Sequence, residues 1–388
     1  MSASEVYQRI TRLLKLHVEP QVDESSLHRL SLYVTGMLRA HTGSPAQVAK
    51  ALDHLQLTGA QAESLERQIR RMENDPEIQA EYCFAPLARE RLLLGKPEAL
   101  VLILDPTLQE DRLVMVSVNV WYRGRSLPIA WSLWPANRPL EGERFWERIA
   151  QLLQRVAAIV PQNIPITCVA DRAFGTPAFT DLIEILGWYW VVRVQDQTLC
   201  QDYLGRVCRV RDLVRFSGQR KKLRGEVFKK AGWRDASVVV FWGHRHRKPL
   251  CLVSNLPPAW SIVRLYRQRF PIEGTFRDYK AYGWRWEQGQ VSNLDHMERL
   301  LIGMALGTWI ALMIGSWQAR QLLSRLPTGK RHTRPWSGKL SLFHLGLDVC
   351  DTGFHENLPP FSWLLTDWLA PVWSIQITAH HAFAFVFA

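Results

Sequence analysis

Cysteine, acidic residues and charge-free runs are all scarce in this sequence, and each scarcity excludes something. Six cysteines are spread over 388 residues, with no CxxC pair and no zinc-ligand spacing among Cys83, Cys168, Cys200, Cys208, Cys251 and Cys350. Reduced, mostly buried thiols are expected rather than a cysteine-built metal site or a disulfide framework. No signal peptide opens the chain, so a cytoplasmic location is expected. Asp and Glu number 36 against 48 Lys and Arg, a net charge of +12, which favours a polyanionic partner and ranks nucleic acid above membrane. One run resists that ranking: Leu300 to Trp317 holds 18 residues without a charge, the lower edge of a bilayer span. It is the sole such run, and its Gly303 and Gly307 suit close packing, so a buried core helix is expected.

What is present reads as one large domain and a smaller one. Residues 1–97 have apolar positions at helical period in Glu5–His17, Ser26–Ala40, Ala46–Leu55 and Ala60–Met72. Ser44-Pro45 is a suitable N-cap and first-turn pair. The two short helices flanking Gln56–Gly59 fit a helix-turn-helix with Arg67, Arg70 and Arg71 as its basic face; a small structural bundle fits as well. From Leu100 the period changes. Strands are predicted at Leu100–Asp105, Leu113–Trp121 and Leu127–Trp134, a helix at Glu143–Val160, a strand at Ile164–Asp171, a helix at Pro177–Leu186 and a strand at Trp188–Val194. Three strands, helix, strand, helix, strand is the order of a ribonuclease H-like sheet. In it the first and fourth strands are neighbours, so Asp105 and Asp171, each closing an apolar run, are expected to meet.

The stretch Leu265–Tyr282 spaces Tyr266, Arg269, Glu273 and Lys280 at offsets of 3, 7 and 14. At about 100° per residue, one unbroken helix would carry all four within an arc of roughly 60°. An acid, two cations and a phenol on one face suit a metal held beside a phosphate. Pro271 lies between Arg269 and Glu273, where a helix either kinks or begins anew.

Asp105-x-Thr107, then Asp171-Arg172-x-Phe174, then Tyr266-x2-Arg269-x3-Glu273-x6-Lys280 resembles the DDE transposases of the insertion-sequence-four type, the group with the Y-R-E-K signature, over about residues 98–318. The resemblance implies an α/β, ribonuclease H-like catalytic domain at 98–318 with a β-rich insertion, for which residues 195–258 are available. It also implies an N-terminal α-helical domain at 1–97 that binds DNA ends. The remaining segment, 319–388, would serve protein contacts. The implied activity is metal-dependent cutting of transposon-end phosphodiesters and joining of the 3′-hydroxyl to target DNA. Two Mg2+ or Mn2+ per site would be held by the catalytic residues Asp105, Asp171 and Glu273. Tyr266, Arg269 and Lys280, with Arg172 and Thr107, would bind DNA. The partners implied are double-stranded DNA, as element terminal inverted repeats and target, and a second copy of the chain once on DNA. A metal-dependent nuclease on the same fold and a non-catalytic DNA-binding remnant are the alternatives.

Plainer readings stand beside these. A strand-end aspartate often caps the following turn, and a glutamate between arginine and lysine often belongs to a solvated ion-pair face. Relatives of this type resolve ends through a hairpin with a base on an aromatic ring in the insertion, which would use Trp242 or Trp233; with 17 tryptophans in the chain, core packing competes. His244-Arg-His-Arg-Lys248 alternates imidazoles with cations, which suits a DNA-facing or solvated turn better than a metal pair. Three C-terminal features complete the chain: the basic Arg325–Lys339, the Trp-rich Pro360–Trp373 and an apolar alternation over Ala379–Ala388.

Overall fold

The computed structural model describes residues 3–95, 97–122, 124–289, 291–324 and 341–355. The features at Arg325–Lys339, Pro360–Trp373 and Ala379–Ala388 lie outside the described residues.

Six helices open the chain: α1 (Ala3–Lys15), α2 (Glu24–Ala40), α3 (Pro45–His54), α4 (Ala62–Glu73), α5 (Ala80–Cys83) and α6 (Ala85–Leu94). Asp23 caps α2 by accepting from the Ser26 N–H, as expected where the first turn leaves backbone donors free. Ser44 stands at the N-cap of α3 with Pro45 in the first turn, but its side chain makes no cap bond; the fixed φ of proline alone starts that helix.

The strands of the core follow: β1 (Leu100–Gln109), β2 (Leu113–Tyr122), β3 (Arg125–Pro135), then α7 (Gly142–Ile159), β4 (Ile166–Ala170), α8 (Pro177–Ile185) and β5 (Tyr189–Arg193). Beyond them come β6 (Leu199–Asp202), β7 (Val207–Arg209), β8 (Arg220–Val227), β9 (Arg234–Phe241) and β10 (Leu250–Ser254). All ten lie in one sheet, ordered β3-β2-β1-β4-β5-β10-β9-β8-β6-β7. The first five places carry the ribonuclease H-like order, with β1, β2 and β3 antiparallel and β4 and β5 parallel to β1. The β-rich stretch after β5 pairs β10 antiparallel to β5 and so widens the same sheet.

One strand differs from expectation. β1 does not close at Asp105 but runs four residues further, pairing with β2 as far as Gln109 opposite Leu113. Its parallel pairing to β4 does stop at Leu104 opposite Ala170. Past that rung β1 has no neighbour on the β4 side, which is where Pro106, lacking an N–H, can be accommodated.

Helices α9 (Ser261–Arg267), α10 (Pro271–Arg277), α11 (Leu294–Ser324) and α12 (Leu342–His355) complete the described chain. α9 lies over β4, β5, β9 and β10, and α10 over β1 and β3. The charge-free run belongs to α11, a 31-residue helix long and apolar enough to cross a membrane, whose apolar window is 94% buried within the chain. It packs on α2, α4, α5, α12 and β3. A Cβ at Gly303 would collide with the Tyr33 ring, and one at Gly346 with the Ala311 carbonyl, so glycine sets how closely α2 and α12 approach α11.

Candidate active site

The parallel register brings the two aspartates together. Leu104 and Ala170 are the last partners of β1 and β4, so the next residue on each chain is an aspartate at the same edge of the sheet. Asp105 is 7% exposed. Asp171 is half-buried, and its carboxylate accepts the Arg172 N–H at 2.5 Å, opening the short 3-10 turn Arg172–Phe174. The capping role and a place in the site are therefore held by one side chain.

Glu273 arrives from the helical layer, where a new helix begins at Pro271, one of the two outcomes that its position allowed. The stretch is broken into α9, α10 and a π turn at Asp278–Tyr282. Pro271 is the cause: it has no N–H to give and opens α10 as its first-turn proline. Across the break the backbone tightens to three-residue spacing, with Arg269 N–H on Tyr266 O at 3.0 Å, Ile272 N–H on Arg269 O at 3.1 Å and Glu273 N–H on Phe270 O at 3.1 Å. The chain keeps its helical hand, and Tyr266, Arg269 and Glu273 still meet. Lys280 lies on the π turn and pairs with Glu287, 3.5 Å away.

Arg269 is the hub. Its guanidinium donates to Asp105 Oδ2 at 2.6 Å and to Glu273 Oε1 at 3.1 Å, while Nε is buried with no partner. The Tyr266 hydroxyl donates to Asp171 Oδ1 at 3.5 Å. Exposure rises from Arg269 and Asp105, with side chains 9% and 10% exposed, to Glu273 at 55%, so the site is a graded path from core to solvent.

The electrostatics follow from that burial. Desolvation lifts the Asp105 carboxyl from 3.8 to about 6; Arg269 opposes the rise, while Asp171 and Glu273 add to it. One guanidinium does not balance three carboxylates in a low-dielectric setting. Burial likewise raises the Tyr266 phenol, which stays a neutral donor.

Thr107, half-buried, is two residues beyond Asp105 on β1 and so on the same face; Arg172 is exposed beside Asp171. The half-buried Trp242 donates its indole N–H to His246 O at 2.8 Å, so it braces the exposed His244–Lys248 turn. Trp233 is half-buried between β8 and β9.

Two features escaped the sequence. Arg193, the last residue of β5, has a buried Nε without a partner and acts on the Tyr266 phenol as a neighbouring cation. Its place at the end of an apolar strand, like those of the aspartates, was the available signal. The second is a buried hydroxyl chain behind the acids. Ser117, opposite Asp105 in the ladder, donates to Asn119 Oδ1 at 2.6 Å. Asn119 Nδ2 donates to Ser126 Oγ at 3.0 Å, which lies 2.7 Å from Thr275 Oγ1, and Thr275 donates to Ser126 O at 3.0 Å. With Thr275 committed to that carbonyl, Ser126 is the donor to Thr275, and every hydroxyl donates once. The chain fastens α10, two residues beyond Glu273, to β2 and β3, of which β2 is the ladder partner of the strand that carries Asp105.

As a metal site the residues fit in kind. Asp105, Asp171 and Glu273 offer only hard oxygen donors, suited to Mg2+ or Mn2+, and the charges of Asp171 and Glu273 add to the rise that burial gives Asp105. They do not fit as a ready-made cage: among the described residues no three such ligand side chains converge on one point, and Arg269 takes one oxygen each from Asp105 and Glu273.

No curated protein matches the sequence. Among solved structures the chain is similar to one described as the cryo-EM structure of a piggyBac transposase synaptic complex with hairpin DNA, at 11% identity and a TM-score of 0.39, over 92% of this chain and 83% of that one. At that distance the fold rests on the strand order itself. Residues 141–310, which carry Asp171, Tyr266, Arg269, Glu273 and Lys280 but not Asp105, are similar to the family described as the transposase DDE domain.

Proposed function

We propose that the chain is a DNA transposase of the insertion-sequence-four type, which cuts element-end phosphodiesters and joins the freed 3′-hydroxyl to target DNA. The observation that carries this reading is the meeting of Asp105 and Asp171 at adjacent strand ends with Glu273 tied to Asp105 through Arg269. The match of residues 141–310 to a transposase DDE domain supports it.

In this reading Asp105, Asp171 and Glu273 would hold two Mg2+ or Mn2+, which would supply charge stabilisation for the attacking and leaving oxygens. Arg269 meets a scissile phosphate as a two-pronged donor, since a guanidinium serves phosphate as well as carboxylate. Trading its carboxylates for phosphate would free the oxygens of Asp105 and Glu273. Tyr266 orients Asp171 and, with Arg193, faces the same phosphate. Glu273, the most exposed of the three acids, orients the attacking water or 3′-hydroxyl. Lys280, Arg172 and Thr107 contact DNA at the rim, and Trp242 or Trp233 would stack a base if ends pass through a hairpin. The protein acts in the cytoplasm on nucleoid DNA, bound by the N-terminal helices, and pairs as a homodimer on the element ends.

The test is nicking and strand transfer on supercoiled DNA carrying the flanking element ends, with Mg2+ or Mn2+, wild type against Glu273→Gln, with end binding measured in parallel. Wild-type joining, a loss on the order of a thousandfold in the variant and retained binding are expected. Cutting without joined products would identify a nuclease; binding without cutting by either protein would identify a remnant.

A further inference from the structure

The outer edge of the sheet holds a second pair of reactive groups, distant in role from the carboxylates. Among the described residues β7 ends the sheet, is three residues long, and pairs with β6 alone. In that ladder Cys200 stands directly opposite Cys208, and their sulfurs lie 3.7 Å apart. The rungs on either side are Val210 N–H on Thr198 O at 2.8 Å and Asp202 N–H on Arg206 O at 3.2 Å. The cysteines therefore occupy the hydrogen-bonded rung between them, where Cα atoms are about 5.5 Å apart, inside the range a disulfide spans. To bond, each sulfur would move by roughly 0.8 Å. Cys200 is 1% exposed and Cys208 half-buried, so a reagent reaches Cys208 first.

We infer that Cys200 and Cys208 form a reversible disulfide that fastens the β6–β7 hairpin to the edge of the sheet. A low-molecular-weight disulfide such as glutathione disulfide is the oxidant. The Cys208 thiol gives its proton to solvent and its thiolate attacks that disulfide, forming a mixed disulfide and expelling one glutathione thiolate. Cys200 then loses its proton, attacks the Cys208 sulfur and expels the second. Two protein thiols are oxidised and one disulfide is reduced to two thiols. Burial, with Cys208 beside it, pushes the Cys200 thiol up to about 12, which keeps it from attacking first and slows the closing step.

Two thiols packed side by side also serve as small apolar groups, but that role needs no register. The bond's consequence lies next door. β6 pairs with β8 through Cys200 opposite Val227, and a groove of about 710 Å3 runs between the hairpin and β8, lined by Tyr203, Arg206, Lys221 and Lys222 among others. Oxidation fixes one wall of that groove, whose cations stand among Asp202, Glu226 and Asp235.

The test is equilibration of the full chain in glutathione buffers of graded redox ratio, alkylation of remaining thiols, peptide mapping and amide hydrogen exchange. A Cys200–Cys208 crosslink as the first product is expected, reversed by dithiothreitol, with exchange in the hairpin slowed on the order of tenfold or more. Cys200→Ser should stop at a glutathione adduct on Cys208. A stable adduct on wild-type Cys208 with Cys200 still alkylated, a Cys200–Cys251 link, or a link between chains would each overturn the inference.

Discussion

In the inner half of the sheet Asp105 lies against Arg269, and in the outer half Asp202 lies against Arg206, yet the two carboxyls are displaced in opposite directions. Asp105 is raised to about 6 because burial comes first among its causes and two further carboxylates stand near. Asp202 is lowered because the Arg206 side chain and backbone N–H both bond it and little protein surrounds it. The ion pair has the same chemistry in both places; the surroundings differ. β1 and β4 are buried along every residue up to the site, whereas half of the residues of β8 are exposed. An arginine stabilises a carboxylate cheaply where water remains and only partly offsets desolvation where it does not. That is why charge chemistry is stored at the inner edge and charge display at the outer one.

The largest effect that would sharpen this comparison is a packing one. Trp190 on β5 is 1% exposed and donates to Glu184 at 2.9 Å, so Trp190→Ala should cost about 3–5 kcal/mol in urea unfolding. Tyr203→Ala, at a side chain 86% exposed in the outer half, should stay within about 0.5 kcal/mol. Equal losses would break the contrast.

Next in size is Asp105→Asn. A carboxyl whose folded value is raised binds a proton that the unfolded chain has already lost, between 3.8 and about 6. Its contribution to stability is therefore present at low pH and is lost as pH rises through about 6. Asparagine removes that loss, so the variant should be the more stable protein at pH 7. The gain has a ceiling of about 3 kcal/mol, reduced by the weaker bond to Arg269. Thermal unfolding from pH 4.5 to 7.5 should show the gain shrinking as pH falls. A variant less stable at pH 7 would mean that the Arg269 pair outweighs burial.

Asn119→Ala should cost about 1–3 kcal/mol, because it strands the Ser117 hydroxyl in the interior and takes from Ser126 the donor it accepts from, leaving Ser126 its bond to Thr275. Nicking should fall with it, since the chain fastens the helix of Glu273; a stability loss with unchanged nicking would confine that chain to folding. Arg206→Ala is the smallest. Its unfolding midpoint should coincide with wild type at neutral pH, and a resolvable drop would show the outer pair to be less wet than its geometry implies.

The strands were readable because apolar runs bounded by turn residues leave few alternatives, and their order carried the encounter of Asp105 with Asp171 over a long separation in sequence. The Y-R-E-K spacing pointed to Tyr266, Arg269 and Glu273 as companions. Pro271 marked the break in that stretch, but the π turn that holds Lys280 was not legible, because periodicity cannot register a local change in the advance per residue. Arg193 and the chain from Ser117 to Thr275 were illegible for another reason: each member is an ordinary polar residue until the sheet sets it beside the next. The same holds for Cys200 and Cys208, whose opposition depends on a ladder register.

The sequence by itself determined the strand order, the helical opening and the surplus of positive charge, since these follow from local pattern and composition. Only the tertiary structure decided that β1 continues past Asp105, that the inserted strands extend the same sheet, and that Arg269 stands between two carboxylates. Those outcomes depend on which backbone donors find partners and which charges lose water, and both are settled only when distant segments are brought into contact.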